Sequence, residues 1–177
     1  MWTPTPVPNL PDSWFALDTE TTGLGVDREP VEIAVVDATG RVRFHRLVRP
    51  RGAMEPGARK LHGLTSTALD GQGAFASVQN ELSDLLDGRT VIAYNASFDR
   101  EVLERAWGRE RAAPPTSDWI CALDWYASWR GFRADLATAC EVERLARPSG
   151  HRALEDATAL HRLVCRMLAE RVPPPLL

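Results

Sequence analysis

The chain has 177 residues, of which 44% are hydrophobic and 25% charged, and a formal net charge of -3. That length fits one domain able to bury roughly 70% of its unfolded surface, and the composition excludes a disordered, collagenous or disulfide-stapled chain. No apolar run approaches the ~20 residues of a membrane-spanning helix, and Met1 to Pro8 lacks the basic start and apolar core of a secretory leader.

Three cysteines, Cys121, Cys140 and Cys165, form no CxxC pair. Reduced thiols and a cytoplasmic protein without membrane association are therefore expected. The net charge argues against coating nucleic acid by bulk attraction, yet the distribution is uneven. Residues 41–60 hold seven basic residues (Arg41, Arg43, Arg46, Arg49, Arg51, Arg59, Lys60) against the single acid Glu55. That excess suits either a solvated strand and loop or a lip that draws phosphates toward an acidic site.

Taken in order, residues 1–12 are rich in proline and read as a flexible lead-in, followed by one folded domain over 13–170 and a short proline-rich tail over 171–177. Trp14 to Thr19, Val31 to Asp37 and Arg41 to Val48 are strand candidates, the last two joined by Ala38-Thr39-Gly40, which predicts a meander of antiparallel hairpins. After a loop from Arg49 to Leu61, apolar residues at 3-4 spacing predict a helix from Phe75 to Leu86, with Gly88 ending it. Thr90 to Tyr94 reads as a buried strand, and a second helix is expected to start at Ser97 as N-cap and to stop before Pro114-Pro115. A mixed segment carrying Trp119, Trp125 and Trp129 follows, then helices over Ala134 to Arg144 and Ala153 to Glu170. Strands first and strand-helix alternation afterwards predict an α/β fold, a sheet with helices on its faces.

The chemistry starts at Asp18-Thr19-Glu20, which closes the apolar run Trp14 to Leu17. Alternate residues of a strand share a face, so both carboxylates point the same way and repel unless a cation holds them. Solvated acids at a strand end would show the same spacing, so partners are needed. Asp99 lies just after the fourth strand candidate, in the first turn of a helix, where capping alone also selects an acid. Asp156 follows His151 by five residues, near the start of the last helix. An α/β sheet gathers such element ends on one edge, where sites are usually built.

Four acids and a histidine then have a common explanation. Mg²⁺ or Mn²⁺ prefers carboxylate oxygens, and two ions roughly 3.5–4 Å apart stabilise the attacking and leaving oxygens of a phosphoryl displacement. Imidazole, with an ordinary pKa of about 6.5, suits deprotonation of the attacking water. Zinc chemistry is disfavoured, because His45, His62, His151 and His161 form no HExxH and the candidate ligands are carboxylates.

The motifs resemble those of the DnaQ-like 3'-5' exonucleases of the DEDDh group, whose best-known member is the proofreading subunit of bacterial replicative polymerase. Asp18-Thr19-Glu20-Thr21-Thr22-Gly23-Leu24 matches the first motif, Glu32-Ile33-Ala34 the strand after it, and Met54-Glu55-Pro56 through His62-Gly63-Leu64-Thr65 a family loop. Asn95-Ala96-Ser97-Phe98-Asp99 matches the second motif and His151-Arg152-Ala153-Leu154-Glu155-Asp156-Ala157 the third, so the similarity runs from about Trp14 to Leu168.

The resemblance implies a ribonuclease-H-like fold with a central mixed five-stranded sheet flanked by helices. It implies that Asp18, Glu20, Asp99 and Asp156 bind two divalent ions, Mg²⁺ or Mn²⁺, and that His151 is the general base. The reaction would release nucleoside 5'-monophosphates from single-stranded or frayed 3' ends, with DNA preferred and RNA the rival substrate. Thr19, Thr21 and Thr22 would line the pocket for the terminal nucleotide, Leu24 would wedge against its base, His62 and Phe98 would be walls, and Asn95 would orient the second motif by hydrogen bonding. Leu24 and Phe98 equally suit a core, Thr22-Gly23 a turn and His62 a loop.

Tyr94 stands where many relatives carry histidine, which predicts altered packing with the chemistry kept. Trp119, Trp125, Tyr126 and Trp129 are expected to pack in the core, with stacking on a single strand as the alternative. His45 and His161 are assigned structural or surface roles. A non-catalytic nucleic-acid- or polymerase-binding module is the reading from another class, and the complete acid set speaks against it. The tail at 171–177, with three prolines and two leucines, offers an extended segment to a partner such as a DNA polymerase.

Overall fold

A computed structural model describes residue 10 and residues 13–170; the rest of the expected lead-in and the proline-rich tail lie outside the described residues. Five strands form one mixed sheet: β1 Trp14–Thr21, β2 Pro30–Asp37, β3 Val42–Leu47, β4 Thr90–Ala93 and β5 Asp118–Cys121, in the order β3-β2-β1-β4-β5. The first three pair antiparallel, as the meander predicts, while β4 and β5 run parallel to β1. Helices α1 Pro56–His62, α2 Ser66–Leu69, α3 Gln79–Leu86, α4 Ala96–Arg109, α5 Ala122–Arg130, α6 Leu136–Val142 and α7 Ala153–Ala169 complete the chain.

Strand periodicity sorts the core into two layers. Trp14 and Ala16 of β1 and Ala34 and Val36 of β2 face a cluster with Trp125, Tyr126, Ala153, Ala157, Leu160 and Val164 from α5 and α7. Phe15, Leu17, Ile33 and Val35 face the other way, onto Leu82 and Leu86 of α3 and Leu103 and Trp107 of α4. Alanines stand on both sides of the first layer, where Ala16, Ala34, Ala153 and Ala157 are all fully buried. Small side chains let helix and sheet backbones approach closely, which brings the start of α7 beside the end of β1.

Several expected elements are revised. The loop over residues 49–61 contains α1, which has proline at its first positions and Gly63 in the left-handed conformation (φ 72°) closing its end. Its short sequence, Pro56 to His62, has no repeating apolar face to betray it. The helix expected from Phe75 starts as a 3-10 turn over Phe75–Ser77 before α3 begins. Helix α4 is entered through Asn95 rather than Ser97, two residues earlier. The mixed tryptophan segment resolves into β5 and α5, with Trp125 fully buried, and α6 starts only after Asp135, whose carboxylate accepts from Thr138 N–H at 2.7 Å. Leu10 packs against the α7-side core, and no helix among the described residues is long and apolar enough to cross a membrane.

Candidate active site

Because Asp18 and Glu20 continue the alternation of Trp14 and Ala16, they project from β1 on the α7 side. Asp156, in the first turn of α7, meets them there: one carboxylate oxygen from each of the three lies within 4.8 Å of the others. Thr19, with the opposite parity, projects toward α4, and its N–H and hydroxyl both donate to Asp99 Oδ1, at 3.0 and 2.8 Å. Asp99 falls outside that 4.8 Å trio and is held by the residue between its first two members. All four acids and His151 line one cleft of about 610 Å³, which Tyr94, Asn95, Phe98 and Asp135 also border.

The acids share one electrostatic signature. Burial pushes the Asp18 carboxyl well above the usual range, and Asp99, Asp156 and Glu20 push it further. Glu20 rises to about 8, first from burial and then from Asp156 and Glu32. Burial lifts Asp99 to about 7 against the two bonds from Thr19, and it lifts Asp156 to about 7 with help from Glu155. Buried like charges without a counter-charge retain protons, and a divalent cation reverses the balance by favouring the ionised oxygens. The donor set is all carboxylate, which fits a hard cation such as Mg²⁺ or Mn²⁺ better than zinc.

The remaining expected site residues divide between cleft and scaffold. Phe98 lines the cleft, and its ring is backed by the Arg28 guanidinium, 4.5 Å from the centroid. Asn95 lines it too, but orients the turn through its carbonyl, which accepts from Phe98 N–H at 2.8 Å, and its side chain makes no capping bond. Thr21 and Thr22 are buried and do not border the cleft: the Thr21 hydroxyl donates to Gly23 O at 2.7 Å, and that of Thr22 accepts from Glu29 N–H at 3.0 Å. Their hydroxyls shape the turn after β1.

His62 stands behind that turn, outside the cleft. Its Nε2 lies 3.2 Å from Thr21 O and its Nδ1 accepts from Leu64 N–H at 3.0 Å, which fixes a neutral ring with the proton on Nε2. Burial correspondingly lowers its pKa. Leu24 projects into solvent at 79% exposure and does not border the cleft.

Glu32 and Tyr94, which the motifs name without a site role, both buttress the site. Glu32, fully buried opposite Glu20 in the register of β1 and β2, receives both prongs of Arg152 (2.8 and 2.9 Å), the N–H of Ala153 (3.1 Å) and the His45 ring (2.8 Å). An acid inside the apolar run Val31 to Val36 is the signal that marks it. Tyr94 donates to Ala134 O at 2.7 Å and so joins the end of β4 to the segment entering α6. His161 stacks on Trp14 with ring centroids 5.5 Å apart, a structural role as expected.

Residues 15–164 match the RNase_T family, described as exonuclease. The chain is 29% identical over 135 residues to the uncharacterised exonuclease CP81 of Escherichia phage 186, covering 69% of this chain and 66% of that protein. To DNA polymerase III subunit epsilon of Salmonella typhimurium it is 31% identical over 171 residues, covering 86% of this chain and 70% of the subunit. The chain therefore spans about two thirds of the length of these relatives. Among solved structures, Exonuclease X in complex with 5' overhanging duplex DNA is similar with a TM-score of 0.72 at 27% identity, covering 89% of this chain and 92% of that one. The ribonuclease-H-like fold and the DnaQ-like resemblance expected from the motifs both agree with these matches.

Proposed function

The chain belongs to the RNase_T exonuclease family, and from that membership and the acid cluster we propose that it is a divalent-metal-dependent 3'-5' exonuclease acting on single-stranded or frayed DNA ends. The observation that carries the reading is the convergence of Asp18, Glu20 and Asp156, with oxygens within 4.8 Å of one another, in a cleft that His151 also borders. The DNA preference draws on the names of two similar proteins, a DNA polymerase subunit and an exonuclease in complex with duplex DNA.

In this mechanism Asp18, Glu20 and Asp156 would hold Mg²⁺ or Mn²⁺, with Asp99 completing a site for two ions. When bound, such ions lower the pKa of water and offset the charge of the phosphodiester being cleaved. His151, exposed at the edge of the cleft, accepts a proton from the attacking water at its imidazole. Phe98, held from behind by Arg28, offers an aromatic face to the terminal base, and Asn95 and Tyr94 border the same space. A cleft of about 610 Å³ lies within the ~300–1,000 Å³ typical of small-molecule sites, as a terminal nucleotide requires. The product is a nucleoside 5'-monophosphate.

Single-stranded DNA and RNA of equal length, labelled at the 5' end, distinguish the substrates. The DNA is expected to shorten faster with Mg²⁺ or Mn²⁺ present, and faster shortening of the RNA overturns the DNA assignment. Association with a DNA polymerase is a further proposal, drawn from the epsilon relatives. Co-purification with the replicative polymerase tests it, and a clean failure to co-purify at micromolar concentrations counts against it.

A further inference from the structure

His151 sits on the loop before α7, and the backbone on each side of it is fixed by a different carboxylate. On one side, Glu155 Oε2 accepts from Ser149 N–H (3.0 Å), from the Ser149 hydroxyl (2.6 Å) and from Gly150 N–H (3.1 Å). On the other, Glu32 takes the Arg152 fork and the N–H of Ala153. Gly150 O also accepts from Arg152 N–H at 3.1 Å, which closes a tight turn around the histidine. Glu155 is exposed on the first turn of α7 and contributes nothing to the buried core, and it neighbours Asp156 without belonging to the acid trio.

A single acceptor gathering three donors from two successive residues is more than a surface acid needs for solvation. A glycine-containing loop left to itself samples many conformations, whereas a general base works only within hydrogen-bond reach of its proton. We propose that Glu155 is a positioning residue: it clamps Ser149 and Gly150 so that His151 is held over the cleft, with the buried Glu32–Arg152 pair as the fixed opposite anchor. This inference rests on the exonuclease reading, in which His151 is the base.

The test is Glu155→Ala in the full chain, assayed for Mn²⁺-supported release of mononucleotides from single-stranded DNA, in the wild-type and in the His151→Ala background. Displacing a catalytic group by about 1 Å can cost roughly 10²-fold, so kcat is expected to fall by roughly 10- to 100-fold with KM nearly unchanged. In the His151→Ala background the same substitution is expected to change kcat by less than about twofold, because the effect passes through the histidine. Equal losses in both backgrounds, or no loss in either, overturn the proposal.

Amide hydrogen exchange at residues 149–151 provides a readout that needs no activity. Exchange is expected to accelerate by at least about tenfold in Glu155→Ala and in Ser149→Ala, as those amides or the hydroxyl lose their acceptor or tether. Unchanged exchange sinks the clamp alone. A wild-type chain that releases no mononucleotides sinks the exonuclease reading instead, so the two failures are told apart.

Discussion

Some functional side chains in the cleft, Asp99 and Phe98 among them, depend on neighbours that have no chemistry of their own. Thr19 is the clearest case, because its strand parity turns it away from Asp18 and Glu20 and onto Asp99, where two hydrogen bonds hold the carboxylate. The motif acids were legible in the sequence because period-two alternation puts Asp18 and Glu20 on one face regardless of the rest of the fold. The substrate contacts were less so: Thr21 and Thr22 spend their hydroxyls on Gly23 O and Glu29 N–H, bonds set by the turn conformation and invisible to spacing. At this scale His151→Ala is expected to lower kcat by roughly 10²–10⁴-fold while leaving the affinity for single-stranded DNA nearly intact. Equilibrium binding and steady-state kinetics on one preparation check both halves of that statement.

Among the elements, α7 has most to do with the site, since it carries Asp156 and begins one residue after Arg152. Its approach to β1 and β2 is set by alanines: Ala153 and Ala157 pack against Ala16 and Ala34 in one cluster, all fully buried. Ala157→Leu forces extra methylenes into that contact and is expected to destabilise the fold by about 1–3 kcal/mol. Arg162→Ala, on the exposed side of the same helix, is expected to stay within about 0.5 kcal/mol. Urea denaturation of the two variants measures the difference. The amphipathic pattern made α7 easy to foresee, whereas α1 was not, because Pro56 to His62 signals itself only through its caps. The ion pair between Glu32 and Arg152 joins residues 120 positions apart, so no local window contains both halves of it.

For the whole molecule, the acid cluster predicts how stability varies with pH. Glu20, Asp99 and Asp156 have pKa values of about 8, 7 and 7 in the folded chain, and Asp18 is raised as well, chiefly by burial. Between the ordinary carboxylate range near 4 and these raised values, the folded state binds more protons than the unfolded one, so stability falls as pH rises. The metal-free protein is accordingly expected to lose Tm steadily from about pH 5 to pH 8. Saturating Mn²⁺ should flatten that decline, since the ion binds the ionised carboxylates of the folded state. A metal-free Tm that instead rises across this interval contradicts the clustering of unpaired acids.

The central claim is that these carboxylates hold the ions on which cleavage from the 3' end depends. It is tested most directly by incubating 5'-labelled single-stranded DNA with the protein and Mn²⁺, and separating the products by length. The account predicts a ladder shortened one nucleotide at a time from the 3' end, with release of nucleoside 5'-monophosphates, abolished both by chelation and by Asp18→Ala. An intact substrate, or a ladder that persists undiminished in the Asp18→Ala protein or in excess chelator, contradicts it.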